Sequence, residues 1–203
     1  MRNRGAVHLA ALAALVLLLI GAGAAAWSVG TYNGLVARNE DVSKSWATVE
    51  SQYQRRLDLI PNLVGTVKGA SNFEKSTLTA VVEARSRAGA VSVDKNTLDD
   101  PAAFKKFEDA QAGLTSALSR LLVVVERYPD IKSAEAYRDL LRQLESTENA
   151  IQAARKDYNE IAQGYNVAIK MFPDSLVAAY GHFQERPYFS AAPEAAKAPA
   201  VKF

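Results

Sequence analysis

Two short polar runs hold candidate side chains for a polar site in the 203-residue sequence: Arg55, Arg56, Asp58 and Asn62 in one, and Glu148, Asn149 and Arg155 in the other. Guanidinium groups fork onto carboxylates. Brought face to face, the two runs form either a polar cluster open to a partner or small ligand, or buried and rim salt bridges that fix the alignment of neighbouring elements. Charges on helices are usually solvated or paired, so the second reading is expected. Glu145 and Glu148 stand one helical turn apart, a spacing that suits a di-metal bundle only with a Glu-x-x-His companion, and none is present. His8 lies in an apolar stretch, His182 is remote from it, and the sequence has no cysteine, Gly-rich phosphate loop or serine elbow. No catalytic residue, cofactor or metal ligand is therefore expected, and the chain reads as a non-enzyme.

Three Tyr-Asn pairs also recur, at Tyr32-Asn33, Tyr158-Asn159 and Tyr165-Asn166, the last two seven residues apart and hence on one helical face. A binding strip is one reading of them. The expected one places the phenol bodies in a core and lets the amides set helix register by hydrogen bonding.

The elements that must position these groups begin with an uncharged run of 19 residues, Leu9 to Trp27. At about 1.5 Å per residue it crosses a hydrocarbon layer about 30 Å thick. The charged start and Ala24-Ala25-Ala26 also suit a cleaved signal peptide, but the reach to an interfacial Trp27 favours a retained anchor in contact with lipid through residues 9–27. Arg2 and Arg4 precede the run, and the next basic residues are Arg38 and Lys44, which puts the N-terminus in the cytoplasm and the body outside the cell membrane. Of 24 basic residues, removing these two leaves 22 against 22 acidic ones, and a neutral body argues against nucleic acid as a partner.

The body reads as helices. Val42, Trp46, Val49, Tyr53, Leu57, Ile60, Val64 and Val67 form an apolar stripe, with a kink or break predicted at Pro61. A second helix is predicted to start at Ser71 or Asn72, run through Phe73, Leu78, Val81 and Val82, and end at Gly89, followed by a loop over 90–99. Asp100-Pro101 signals the start of a third, whose seam is Phe104, Phe107, Gln111, Leu114, Leu118, Leu121 and Val125. The fourth runs from about Ser133 to Met171 through Tyr137, Leu140, Leu144, Ile151, Ala154, Tyr158, Ile161, Tyr165 and Ala168. After Pro173 a short helix and an extended strap are predicted to pack back, and beyond Ser190 the Ala/Pro/Lys tail lacks any apolar period and reads as disordered. The expected fold is all-α: an N-terminal transmembrane helix (1–30), an antiparallel bundle of three to four long helices (31–190) and a tail (191–203).

The order of the motifs carries a resemblance. Tyr32-Asn33-Gly34-Leu35-Val36-Ala37-Arg38-Asn39, Gln54 to Val64 with its Arg55-Arg56-Leu57-Asp58-Leu59-Ile60-Pro61-Asn62-Leu63-Val64 run, Glu126-Arg127-Tyr128-Pro129, Glu145-Ser146-Thr147-Glu148-Asn149, Ala154-Arg155 and Phe172-Pro173 resemble the LemA family of bacterial membrane proteins. The likeness runs from the anchor to about Phe189, leaves out the tail, and departs from the family at Ala70 to Asn72. It implies long antiparallel helices, no established reaction, and a membrane-associated helper role, with relatives tied to building magnetosome membranes. Family members have also been described with the N-terminus outside, opposite to the charge-based orientation.

The expectation is a non-enzymatic, single-pass scaffold or adaptor for envelope proteins. The alternatives are a membrane-organising protein that self-assembles at the bilayer, and a ligand-binding bundle using the polar cluster near Pro61.

Overall fold

The fold is given by a computed structural model that describes residues 3–69, 73–91 and 95–190. Among the described residues every regular element is a helix: α1 (Asn3–Lys68), α2 (Lys75–Ala90), α3 (Lys95–Asp99), α4 (Pro101–Val125), α5 (Pro129–Ser133), α6 (Glu135–Lys170) and α7 (Asp174–Tyr180). The chain divides into two compact units. The larger takes Val42–Gln163 and resumes at Arg186, and the smaller takes the described residues up to Asp41 with Gly164–Glu185.

In the larger unit the long helices alternate in direction. Trp46 of α1 meets Phe104 of α4 and Tyr158 of α6. Three turns later Arg56 meets Gln111 and Thr115 of α4 but Glu148 of α6, so α4 runs with α1 and α6 against it. Helix α2 opposes both α1 and α4: Phe73 ahead of it packs on Tyr128 beyond α4, ring centroids 4.9 Å apart, and Arg85 near its end reaches Leu57. This is the up-and-down bundle that the apolar spacing requires.

The buried residues of α4 are Phe104, Phe107, Gln111, Leu114, Leu118, Leu121 and Val125, the seven seam positions, because steps of three and four keep one face turned to its neighbours. Asp100 caps α4, its carboxylate accepting from the Ala102 N–H at 2.8 Å with Pro101 in the first turn. Alongside α2 the core is aliphatic, built from Ile60, Leu63, Val67, Leu78, Val81, Leu114, Leu118, Leu121 and Leu144. Past the end of α2 it becomes aromatic and is closed by Phe189 from the C-terminal strap.

Several expectations need correcting. The first helix begins at Asn3 rather than Val42, residues 28–41 continuing it without a proline. Its inward face carries Leu63, 2 % exposed, where the stripe had Val64, which is only partly buried. Gly89 lies inside α2, which ends at Ala90, and the proposed starts at Ser71 and Asn72 fall outside the described residues, as does the 191–203 tail. The loop expected over 90–99 contains α3, a single turn that buries Thr97 and Leu98 and is too short to show a period. In α6 the inward positions are Ala162 and Ile169 rather than Ile161 and Ala168, a slip of one residue past Tyr158.

Pro61 causes no break. A proline removes the N–H that would bond the carbonyl four residues back, here that of Leu57. Arg85 Nε donates to that oxygen at 2.9 Å, so a side chain from α2 replaces the missing backbone donor and the helix continues to Lys68. Arg85→Ala is expected to cost about 1–2 kcal/mol by leaving the carbonyl unmatched. In a Pro61→Ala background the same change should cost markedly less, and a double-mutant cycle of urea midpoints measures the difference.

In the smaller unit, α1 carries the apolar run. Leu9, Leu12, Leu15 and Leu17 to Ile20 are all more than half exposed, the helix is long and apolar enough here to cross a membrane, and none of that stretch is buried within the chain. Leu35, Tyr165, Asn166, Ile169, Val177 and Ala178 are this unit's buried residues.

Candidate functional site

The polar candidates separate into three groups. Arg56 and Glu148 come together, Nη1 to Oε2 at 3.1 Å, with Arg56 only 1 % exposed. Arg155 joins a different cluster, pairing with Glu108 at 3.8 Å, donating to the Ser190 carbonyl at 3.0 Å and stacking over the Phe189 ring at 4.6 Å. Arg55, Asp58, Asn62 and Asn149 are exposed, and Asp58 accepts from Gln54 Nε2 one turn away at 2.7 Å.

Arg56 sits where the aliphatic and aromatic halves of the core meet. Its Nη1 also donates to Thr115 Oγ1 at 3.1 Å, and Nη2 donates to the Gln111 side-chain oxygen at 2.5 Å and its backbone carbonyl at 3.4 Å. The guanidinium lies 5.0 Å from the Tyr53 ring centroid, a cation–π distance. Four N–H groups are thereby engaged and only Nε lacks a partner. A buried charge held by one residue of α1, two of α4 and one of α6 resists both sliding and rotation of the three helices.

Gln111, Thr115 and Tyr53 were not among the predicted cluster residues, although the signal was present. The positions 42, 46, 49, 53, 56, 60, 63 and 67 alternate steps of four and three and set Arg56 directly on the seam of α1, as Gln111 sits on that of α4. A polar residue at such a position marks a register lock.

Beside this centre a groove of about 480 Å³ is lined by Glu50, Tyr53, Gln54, Leu57, Gly89 and Gln111. Among the described residues no group of three or more His, Asp or Glu side chains is placed to hold a metal. The arrangement supplies charge pairing and hydrogen bonding.

The Tyr158-Asn159 pair directs its hydrogen bonds to the strap instead of to another helix. Tyr158 donates its hydroxyl to the Pro187 carbonyl at 2.9 Å, while the Asn159 amide donates to the Phe189 carbonyl at 3.0 Å and accepts from its N–H at 2.9 Å. Asn159 thus treats Phe189 as a neighbouring strand would. Burial pushes the Tyr158 phenol well above the ordinary 10.0, outweighing the nearby Arg186 charge. Burial likewise raises Tyr53, against the charges of Arg155 and Arg56, and Tyr137, where Glu126 adds to it.

These shifts fix a sign. Above pH 10 the unfolded phenols ionise while the buried ones hold their protons, so the native state binds more protons and stability falls as pH rises. Stability is expected to be level up to about pH 10 and to drop beyond it, Tyr158 contributing at most about 1.4 kcal/mol per pH unit. Urea titrations at about pH 9 and about pH 11 should show a shallower drop for Tyr158→Phe than for the unaltered chain.

An exposed apolar helix leading a four-helix bundle with a buried arginine lock defines the class: an all-α bundle protein with a candidate transmembrane helix near its N-terminus. The chain belongs to the LemA family, whose model matches residues 45–203. That match takes in the C-terminal tail, which the motif resemblance leaves out. The chain is similar to magnetosome protein MamQ of Magnetospirillum gryphiswaldense, 28 % identical over 181 residues, and to magnetosome protein MamQ 2 of Paramagnetospirillum magneticum, 30 % identical over 180 residues. Each alignment covers 80 % of this chain and 65 % of the relative. Protein LemA of Metamycoplasma hominis is 27 % identical over 150 residues, 74 % of this chain and 64 % of that one. The chain thus spans a little under two thirds of the length of these relatives.

Proposed function

We propose that this is a single-pass membrane protein, without catalysis of its own, whose bundle serves as a scaffold or adaptor for other envelope proteins. One observation carries the reading: the polar groups at the centre of the bundle are engaged with one another, both Nη nitrogens of Arg56 with Gln111, Thr115 and Glu148, and Tyr158 and Asn159 with the strap. A polar interior so occupied leaves the outer faces as the place where partners meet the protein. A groove of about 820 Å³ between α2 and α4, lined by Thr77, Ala80, Ser116, Arg120, Val123 and Arg127, lies on such an outer face. The apolar run of α1, exposed along its length, supports a lipid setting, and the magnetosome-protein names of two relatives accord with it. The charge bias of Arg2 and Arg4 supports a cytoplasmic N-terminus with the bundle outside.

Photo-crosslinking amino acids placed at Ser116 and at Val123 in cells, followed by mass spectrometry of the adducts, test the adaptor role. Adducts to other envelope proteins are expected. Adducts to the chain itself alone would point to self-assembly at the bilayer, and the absence of adducts at both positions would overturn the role assigned to this face.

A further inference from the structure

The segment 171–184 holds one carboxylate, Asp174, and its Oδ1 accepts from Thr31 Oγ1 at 3.5 Å. Apart from His182 the rest is apolar, aromatic or uncharged. Helix α7 turns Val177 and Ala178 inward but leaves Leu176 63 % and Tyr180 87 % exposed, with Phe172 80 % exposed just ahead of it. Leu176 and Tyr180 are four apart on α7 and share one face of it, and Phe172 adds an exposed ring just before the helix. The sequence-based expectation had Leu176 and Tyr180 packing back, yet they face outward together. Proteins that live wholly in water seldom expose a contiguous apolar patch of this kind.

Packing holds the segment in place. At Gly181 a Cβ would lie 2.7 Å from the Phe183 ring and 3.1 Å from that of Tyr32, so only glycine lets Phe183 fold back edge-on to Tyr32 with ring centroids 5.5 Å apart. Leu176, Val177 and Tyr180 then line, with Trp27, Ser28, Val29 and Tyr32, an open apolar hollow of about 500 Å³. Trp27 is the last member of the apolar run, and Ser28, Val29 and Tyr32 directly follow it. From Trp27 to Tyr32 the helix rises about 7.5 Å, which falls within the ~5–10 Å depth at which interfacial helices embed. Trp and Tyr gather at that level, where Trp27, Tyr32 and Tyr180 stand. The Lys170–Glu185 pair, at 2.7 Å, marks the polar limit of the segment.

We propose that α7, with Met171 and Phe172, is a second lipid contact that lies along the bilayer interface beside the span, Phe172, Leu176 and Tyr180 entering the boundary between headgroups and acyl chains. The proposal rests on the reading of Leu9 to Trp27 as a membrane span. With two contacts the span loses its freedom to rotate about its own axis.

The chain has no cysteine, so single labels are unambiguous. Full-length protein carrying a fluorophore at Leu176→Cys, at Leu15→Cys or at Val82→Cys, a half-exposed α2 site, is placed in phosphatidylcholine–phosphatidylglycerol vesicles. Each sample is quenched in turn by shallow nitroxide lipid, deep nitroxide lipid and aqueous iodide. The Leu176 label is expected to be quenched several-fold more by shallow nitroxide than the Val82 label and shielded from iodide, while the Leu15 label responds to the deep nitroxide. Tyr180→Cys repeats the reading should the Leu176 variant fail to fold. Iodide access at Leu176 equal to that at Val82, with Leu15 still in lipid, would overturn the interfacial contact and leave the span standing. Shielding at Leu176 from both iodide and lipid would overturn the lipid contact and assign the exposed face of α7 to a second copy of the chain, and a Leu15 label outside lipid would remove the span and this proposal together.

Discussion

Trp46→Ala is expected to lower the stability of the larger unit by about 3–5 kcal/mol, the range for deleting a large buried aromatic. Melting of the full chain in detergent, followed by circular dichroism, should fall by roughly 6–20 °C at about 2–4 °C per kcal/mol for a chain of this size. The indole is 2 % exposed and touches four rings: Tyr158 at 5.4 Å, Phe107 at 5.5 Å, Phe104 at 5.6 Å and Phe189 at 5.9 Å between centroids. Alanine leaves a cavity bounded by parts of α4, α6 and the strap, which cannot all collapse inward at once. Its Nε1 lacks a hydrogen-bond partner, so Trp46→Phe removes a buried unmatched donor along with some volume and should cost less than the alanine change. A shift below about 2 °C for Trp46→Ala would mean that this aromatic cluster contributes little to stability. The strap should also loosen, because Phe189 has its largest stacking partner in Trp46, and cleavage by protease within 184–190 is the readout for that.

How much of this was legible in the sequence depended on whether the deciding information was local. The α4 seam could be read residue by residue because its neighbours lie on one side, and the Asp100 cap because it involves two adjacent residues. Pro61 could not, since the group that replaces its donor is Arg85, 24 positions further along the chain. The same holds for Phe189: nothing in the spacing of the tail aromatics ties it to Trp46, and the tie is made by Asn159 and Tyr158 holding the strap backbone. Thr97 and Leu98 bury themselves on a single turn, for which periodicity has no signature.

At the polar centre the residue types were legible and their grouping was not. Arg55 and Arg56 are neighbours of the same type, yet one faces water and the other the core, a difference decided by the phase of the α1 stripe. Taking Leu57 as the stripe position hides Arg56; taking the four-three alternation through Tyr53 and Ile60 exposes it. Asp58 and Asn62 fall on the outer side of the same phase, and Asn149 is on the exposed side of α6. The long helix then joins two jobs in one element, since α1 carries both the uncharged run and the arginine that fixes α4 and α6.

Glu148→Ala and Arg56→Met should have unequal effects, and the inequality is the signature of a register lock. Removing the carboxylate leaves a guanidinium that is 1 % exposed without its counter-charge, a change that costs about 3–5 kcal/mol in a fully buried pair. The Glu148 side chain is 38 % exposed, so water reaches the vacated place and the expected loss is about 2–3 kcal/mol. Methionine at position 56 keeps most of the volume and removes the charge. Glu148 then rehydrates, and what remains is the unmatched oxygen of Gln111, so the net cost should lie at about 0–2 kcal/mol. Adding Arg56→Met to Glu148→Ala should therefore restore stability relative to Glu148→Ala alone, as read in urea midpoints of the full chain. A ligand site built on the same residues predicts the reverse pattern: Glu148→Ala would leave the midpoint unchanged, because the guanidinium would be poised for an outside anion rather than held by the bundle. With both Nη nitrogens already bonded to Gln111, Thr115 and Glu148, the bundle has filled the positions such an anion would need.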